Sequence, residues 1–195
     1  MFRNKFVLGI IIAGIAGIGL YMFGAAPTYS ERALKEQEKY TTTMLTMEGS
    51  PLHDPAGITF FEPDEKWVFE AVFTPVEKDR QFKVQMTDST FESSRLAGYA
   101  AVQIGSATFN LLVFDEGNQF LLPFRDETNG RETYGGGRYI NIEKAQLVGR
   151  KLTIDFNNSR NFYCAYDGKY VCPVPPYENV LPVAVNAGEL NFSKP

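Results

Sequence analysis

From Ile58 onward the chain carries apolar side chains at every second position, and this period limits it to sheet. Trp67, Phe69, Ala71 and Phe73 alternate with Lys66, Val68, Glu70 and Val72. Phe82, Val84 and Met86 alternate with Gln81, Lys83, Gln85 and Thr87, and Leu152, Ile154 and Phe156 with Lys151, Thr153 and Asp155. A period of two puts one face in a core and the other toward water, as in antiparallel sheet. Ala107 to Phe114 and Gln119 to Phe124 flank Asp115-Glu-Gly-Asn118, which predicts a hairpin. Further turns are expected at Asp79-Arg80, Val148-Gly149-Arg150 and Asp167-Gly168. The expected fold is all-β, an antiparallel sandwich or partly open barrel, behind an N-terminal membrane helix and a short polar helix.

Phe6 to Ala26 are 21 residues without a charge. At about 1.5 Å per helical residue they span roughly 30 Å, the thickness of a bilayer's hydrocarbon core. Arg3 and Lys5 precede the run, as they would in a signal peptide or an uncleaved anchor. Gly24 and Ala26 suit a cleavage site, but Pro27 would follow the cut and the run exceeds a signal core, so a retained anchor is favoured. No cysteine lies near its end, which excludes a lipoprotein. Arg3 and Lys5 hug the run, whereas Arg32, Lys35 and Lys39 are diluted by Glu31, Glu36 and Glu38. The positive-inside rule then puts residues 1–5 in the cytoplasm and the C-terminal domain in the periplasm or cell exterior. Gly9, Ala13 and Gly17 form a small-residue stripe that would permit a homodimer, though small residues are common in membrane helices anyway.

Residues 1–26 thus read as anchor, 27–48 as a helical stalk and 49–195 as the β domain. Thr28-Tyr-Ser-Glu31 reads as a capping box opening a polar helix to about Tyr40 or Met44. With Arg3 and Lys5 set aside, 17 cationic face 23 anionic side chains, a net charge of −6 that argues against nucleic acid as a partner.

A signature lies between Phe120 and Glu189. It reads Phe120-Leu-Leu-Pro-Phe-Arg-Asp-Glu-Thr-Asn-Gly-Arg-Glu-Thr-Tyr-Gly-Gly-Gly-Arg-Tyr139, then Ile154-Asp-Phe-Asn157, Tyr163-Cys-Ala-Tyr166, Cys172-Pro-Val-Pro-Pro-Tyr-Glu-Asn179 and Ala187-Gly-Glu189. These motifs, with Ser50-Pro-Leu52 and Ile58-Thr-Phe-Phe61, closely resemble the bacterial domain-of-unknown-function family numbered 1684, over roughly Tyr40 to Leu190. The chain departs from that pattern at Asn157-Asn-Ser-Arg-Asn-Phe162, where the family carries a proline. The resemblance implies a domain boundary and a set of positions, and no activity.

The chemistry of those positions suggests a site. Arg125, Asp126, Glu132, Arg138, Asp155 and Glu178 differ in sign and would form an ion network beside Tyr134, Tyr139 and Tyr166 if the sheet gathers them. Such a network either fixes strand ends or lines a pocket in which Arg125 or Arg138 forks onto an anion, with Asn157 and Asn179 beside it. Gly135, Gly136 and Gly137 lack phosphate-loop spacing and suit a bulge or a close backbone approach. Cys164 and Cys172 flank the Asp167-Gly168 turn, and a disulfide across that hairpin is expected outside the cytoplasm. Two thiols and a single histidine, His53 in a Pro-rich turn, make no zinc site and no histidine-based triad. No metal or cofactor is expected. The leading expectation is a domain binding a small or extended ligand, an unknown small molecule or envelope component; the rival is a hydrolase-like enzyme using a carboxylate pair or a Tyr-Arg dyad.

Overall fold

The alternating segments become strands. A computed structural model describes residues 4, 7, 9–12, 14–15, 26–52 and 54–193. Strands run β1 (Val68–Pro75), β2 (Gln81–Gln85), β3 (Phe91–Ile104), β4 (Ala107–Asp115), β5 (Gln119–Phe124), β6 (Arg138–Glu143), β7 (Leu147–Val148) and β8 (Lys151–Asp155). They form one antiparallel sheet of order β6-β5-β4-β3-β1-β8-β7, with β2 paired to β3 off that path.

The sheet is open but strongly curled. Phe124 at the end of β5 meets Phe156 just past β8, ring centroids 5.1 Å apart. Four strand steps separate β5 from β8, about 19 Å in a flat sheet, so the sheet must wrap around its core. Tyr139 on β6 and Arg160 exchange backbone hydrogen bonds (2.9 and 2.8 Å), bringing β6 back to the chain that leaves β8. Inside lie Ala71, Phe73, Ala100, Val102, Leu111, Val113, Leu122, Phe124, Ile140, Leu152, Ile154 and Phe156.

A second, smaller cluster of Val84, Leu96, Leu112 and Phe114 sits on the outer face, covered by β2. β3 serves both: its first half pairs with β2 and its second with β1, and a register shift against β4 falls between Leu96 and Gly98. That irregularity lets Leu96 reach the outer cluster while Ala100 and Val102 face inward.

Ahead of the sheet, α1 (Tyr29–Thr46) begins with the expected capping box: Thr28 accepts from the Glu31 N–H and the Glu31 carboxylate accepts from the Thr28 N–H. It does not stand clear of the domain as a stalk would. Ala33, Gln37 and Met44 are buried, and Met44 packs with Leu52 and Ile58 against Tyr40, Phe60, Tyr163 and Tyr166. The Tyr29 hydroxyl donates to the Asp155 carboxylate at 2.8 Å. Among the described residues no helix is long and apolar enough to cross a membrane. Most of the 6–26 segment, Ala13 and Gly17 of its stripe, and His53 lie outside the described residues.

Candidate functional site

The signature is built around a buried cation. β5 ends at Phe124, the loop 125–137 turns back on itself, and β6 starts at Arg138, whose side chain is 0% exposed. Gly137 makes that entry feasible: its φ is +99°, and a Cβ there would lie 2.7 Å from Pro175 Cγ and 2.8 Å from the Phe124 carbonyl. This is the close backbone approach expected of the glycine run, located just before a strand. Arg138 Nη2 donates to Asp126 Oδ2 and to the Val185 carbonyl, each at 2.9 Å, while Nη1 donates to the Ala187 carbonyl. The guanidinium also lies over the Phe124 ring. Asp126 accepts in turn from the Val185 N–H (2.8 Å) and the Thr128 hydroxyl (2.7 Å), and Thr128 bonds to Thr133 (2.7 Å). Burial lowers the pKa of Arg138 and the Asp126 carboxylate opposes the shift. Both Nη atoms of Arg138 and both carboxylate oxygens of Asp126 thus bond within the loop 125–137 or to the 183–187 segment, and the pair fastens one to the other; Arg138 Nε is left without a partner.

Two asparagines act as substitute strand partners. The register of β4 and β5 (Phe114 with Leu121, Asp115 with Phe120) would next but one oppose Leu112 to Pro123. Pro123 has no N–H to give. Asn179, 0% exposed, fills the gap: its Oδ1 accepts from the Leu112 N–H (2.7 Å), and its Nδ2 donates to the carbonyls of Leu112 (2.9 Å) and Pro123 (2.6 Å). Asn157 treats Asp64 in the same way, accepting from its N–H and donating to its carbonyl, both at 3.0 Å. Asp155 receives the Asn157 N–H (2.9 Å) and the Tyr29 hydroxyl. Burial first, then the bond to Asp155, raises the Tyr29 pKa.

Beneath α1 lies a second buried charge that the sequence motifs contain but whose role they do not announce. Glu189, 0% exposed, accepts from the Tyr166 hydroxyl (2.7 Å) and the Asn161 N–H (2.9 Å). Tyr166 reaches on to the Tyr40 hydroxyl at 3.1 Å, and Arg160 stacks over Tyr40 and Phe60. Burial raises the Glu189 pKa, and the hydrogen bonds only partly restrain it. A carboxyl with a raised folded pKa contributes stability that is fully present below its unfolded value, about 4.3, and lost as pH rises through the folded value. The Glu189→Gln variant is therefore expected to gain stability relative to the wild type as pH rises from 4 to 8, measured by urea melts at each pH; a constant difference would refute it.

Of the six signature charges, only Asp126 and Arg138 pair with each other. Arg125, Glu132 and Glu178 are exposed and Asp155 is engaged with Tyr29 and Asn157, so the expected six-member network does not form. Arg138 cannot fork onto a ligand from its enclosed position. Tyr139 is buried and donates to the Pro173 carbonyl, and Tyr166 is spent on Glu189. What remains at the surface is Arg125, whose Nη2 donates to the Gly135 carbonyl at 3.1 Å, together with Glu132, Glu178, Gly135 and the half-buried Gly136 and Tyr134.

The cysteine hairpin also differs from expectation. Tyr163–Ala165 form a 3-10 turn instead of a strand, because Ala165 and Tyr166 N–H groups bond back to Phe162 and Tyr163. Cys164 and Cys172 are neighbours all the same, with the Cys164 N–H 3.2 Å from Cys172 Sγ, and both thiols are free. Among the described residues no cluster of three or more His, Cys, Asp or Glu is disposed to hold a metal. Two shallow depressions lie elsewhere: one of about 210 Å³ between Phe82, Phe91 and Tyr177, and one of about 300 Å³ beside Arg95, Asp115 and Lys144. Neither is lined by Arg125, Tyr134 or Arg138.

A curled antiparallel sheet with one signature ion pair, Asp126 and Arg138, turned inward as a fastener defines the class: an all-β domain with a polar brace at its core. The chain belongs to the DUF1684 family, whose model, described as a protein of unknown function, matches residues 54–190. It is similar to the solution NMR structure of the uncharacterized protein from gene locus rrnAC0354 of Haloarcula marismortui, at 27% identity and a TM-score of 0.66. That similarity covers 82% of this chain and 92% of the other. No curated protein matches.

Proposed function

We propose that the chain is a membrane-tethered, extracytoplasmic binding domain that takes an anionic small molecule or envelope component at Arg125, Tyr134, Gly135 and Gly136. The observation that carries this reading is the division of the signature. Its buried half, Asp126, Thr128, Thr133, Arg138 and Asn179, braces the loop from within, while Arg125 stays exposed over Gly135. A braced loop costs little to order on binding, and an arginine held by one donor can offer others to a carboxylate or phosphate. For the tether, the described residues of the apolar run between 7 and 15 are helical, and Val7, Ile10, Ile11, Ile12 and Ile15 are exposed, as side chains meant for lipid would be. A carboxylate-pair enzyme receives less support, because Asp126 and Asp155 are committed to internal donors.

The test is a thermal-shift screen of the protein against carboxylate- and phosphate-bearing metabolites and cell-wall fragments. A ligand at a hundredfold excess over its Kd adds about 2.7 kcal/mol, a shift of several degrees. The expected result is a hit that Arg125→Ala abolishes without lowering the unliganded melting temperature. Hits that ignore Arg125, or none, would overturn the assignment.

A further inference from the structure

The buried fasteners and the arginine loop leave one reactive group unused, the thiol pair at the edge of the signature. Cys172 is 2% exposed and is pinned to the end of the β2 hairpin: its N–H donates to Thr87 Oγ1 (3.0 Å) and its carbonyl accepts from the Thr87 N–H (2.9 Å). Cys164 is half-buried, in the 3-10 turn Tyr163–Ala165, and its own N–H points at Cys172 Sγ. The two side chains lie close enough to shift each other's protonation, and the Tyr134 hydroxyl acts on Cys164 as well. One cysteine is therefore partly open to solvent, and the other is enclosed beside it.

We propose that Cys164 and Cys172 form a redox-active dithiol–disulfide couple that exchanges with low-molecular-weight disulfides, Cys164 attacking and Cys172 resolving. The Cys164 thiolate attacks one sulfur of the disulfide RSSR; the new bond joins Cys164 to SR, the S–S bond breaks, and RS⁻ leaves. Cys172, giving up its proton to RS⁻, attacks the Cys164 sulfur; the Cys164–Cys172 bond forms and the second RS⁻ departs, taking its proton from water. The two cysteines lose two electrons, and RSSR gains them to become two RSH.

The surroundings fit this order of events. Hydrogen bonds from Cys172 and Tyr134 outweigh burial and bring the Cys164 thiol down to about 7, while the same contact with Cys164, aided by burial, pushes Cys172 up. The attacking thiol thus has a thiolate fraction near neutral pH, where exchange is fastest. Once Cys164 is capped its negative charge is gone, and the charge that kept Cys172 protonated goes with it. A static cross-link would need neither a half-exposed sulfur nor a tyrosine donor beside it. The inference rests on the thiol pair and its neighbour Tyr134, and stands whether or not Arg125 binds an anion.

The test uses the full chain, reduced, in detergent, mixed with oxidised glutathione, quenched in acid and weighed by mass spectrometry. The wild type is expected to lose two hydrogens with no lasting adduct, and Cys172→Ser to stop with one glutathione on Cys164. Cys164→Ser should react about tenfold more slowly. Tyr134→Phe, with an unchanged circular dichroism spectrum, should slow the wild-type reaction severalfold, which keeps the test valid if a serine variant misfolds. The oxidised form should reopen in reduced glutathione. The proposal falls if the wild type keeps both thiols, if the two serine variants react at equal rates, or if reduced glutathione cannot reopen the bond.

Discussion

Replacing Arg138 with alanine is expected to cost on the order of 3–5 kcal/mol, the penalty for breaking a buried ion pair from one side. At roughly 2–4 °C per kcal/mol for a chain of this size, the melting temperature should fall by roughly 6–20 °C. Three groups lose their partner at once: the Asp126 carboxylate keeps its charge without a cation, and the carbonyls of Val185 and Ala187 lose their donor. Arg138→Lys should recover only part of the loss, because one ammonium cannot span Asp126, Val185 and Ala187 in the plane that the guanidinium covers. Pairing Arg138→Met with Asp126→Leu removes the stranded charge, yet the Val185 N–H and both carbonyls stay unpaired. The double variant should thus fall between wild type and Arg138→Ala. Denaturant melts of the four proteins test the order; an Arg138→Ala loss below about 1 kcal/mol, the scale of an exposed pair, would refute the account.

The second large effect is expected at Asn179, where a one-atom change is the sharper experiment. Asn179→Asp keeps the shape and the acceptor for the Leu112 N–H, but replaces the amide that donates to the Leu112 and Pro123 carbonyls with a second oxygen. A buried negative charge then faces two carbonyl oxygens. Each buried polar group left unpaired costs about 1–3 kcal/mol, so the loss should reach at least that of Asn179→Ala. If Asn179→Asp melts like the wild type, the amide is not the bridge between β4 and β5. Hydrogen exchange at the Leu112 amide should quicken in both variants, while β1 and β8 amides stay protected.

The two effects show which part of the molecule was legible beforehand. Strands β1, β2 and β8 followed from alternation because each keeps one face to the core, and the β4–β5 hairpin from its Gly-containing loop. β3 did not, since Leu96 serves the outer cluster and Ala100 the inner one, and its pattern mixes two cores. β4 hid its period for a related reason: Leu111 to Phe114 are all buried, two on each side.

The inward stripe of α1, Ala33, Gln37, Tyr40 and Met44, has helical spacing but only one strongly apolar member, so composition read it as solvent-exposed. In the signature, the residue types were visible but their direction was not. Nothing in the order Arg-Asp before Gly-Gly-Gly-Arg says that Arg138 enters the core while Arg125 leaves it; that depends on the backbone turn at Gly137. Glu189 could have been singled out, as the one charge between Val180 and Leu190. Pro123 within an apolar strand was the available hint that a side chain, here Asn179, must complete the ladder.

The docking of α1 carries a consequence for geometry in the cell. The helix starts at Tyr29, its first residue is tied to Asp155, and the apolar run ends at Ala26. With residues 6–26 in a bilayer as proposed, the leash between lipid and folded body is two residues, Pro27 and Thr28, so that Ala26 and Tyr29 stand no more than about 11 Å apart at full stretch. A body on so short a leash neither roams nor tumbles; it keeps the pole that carries Tyr29 and Asp155 toward the lipid. Whatever reaches Arg125 or Cys164 would then arrive along the membrane surface or from above it, at a height set by the domain's own dimensions.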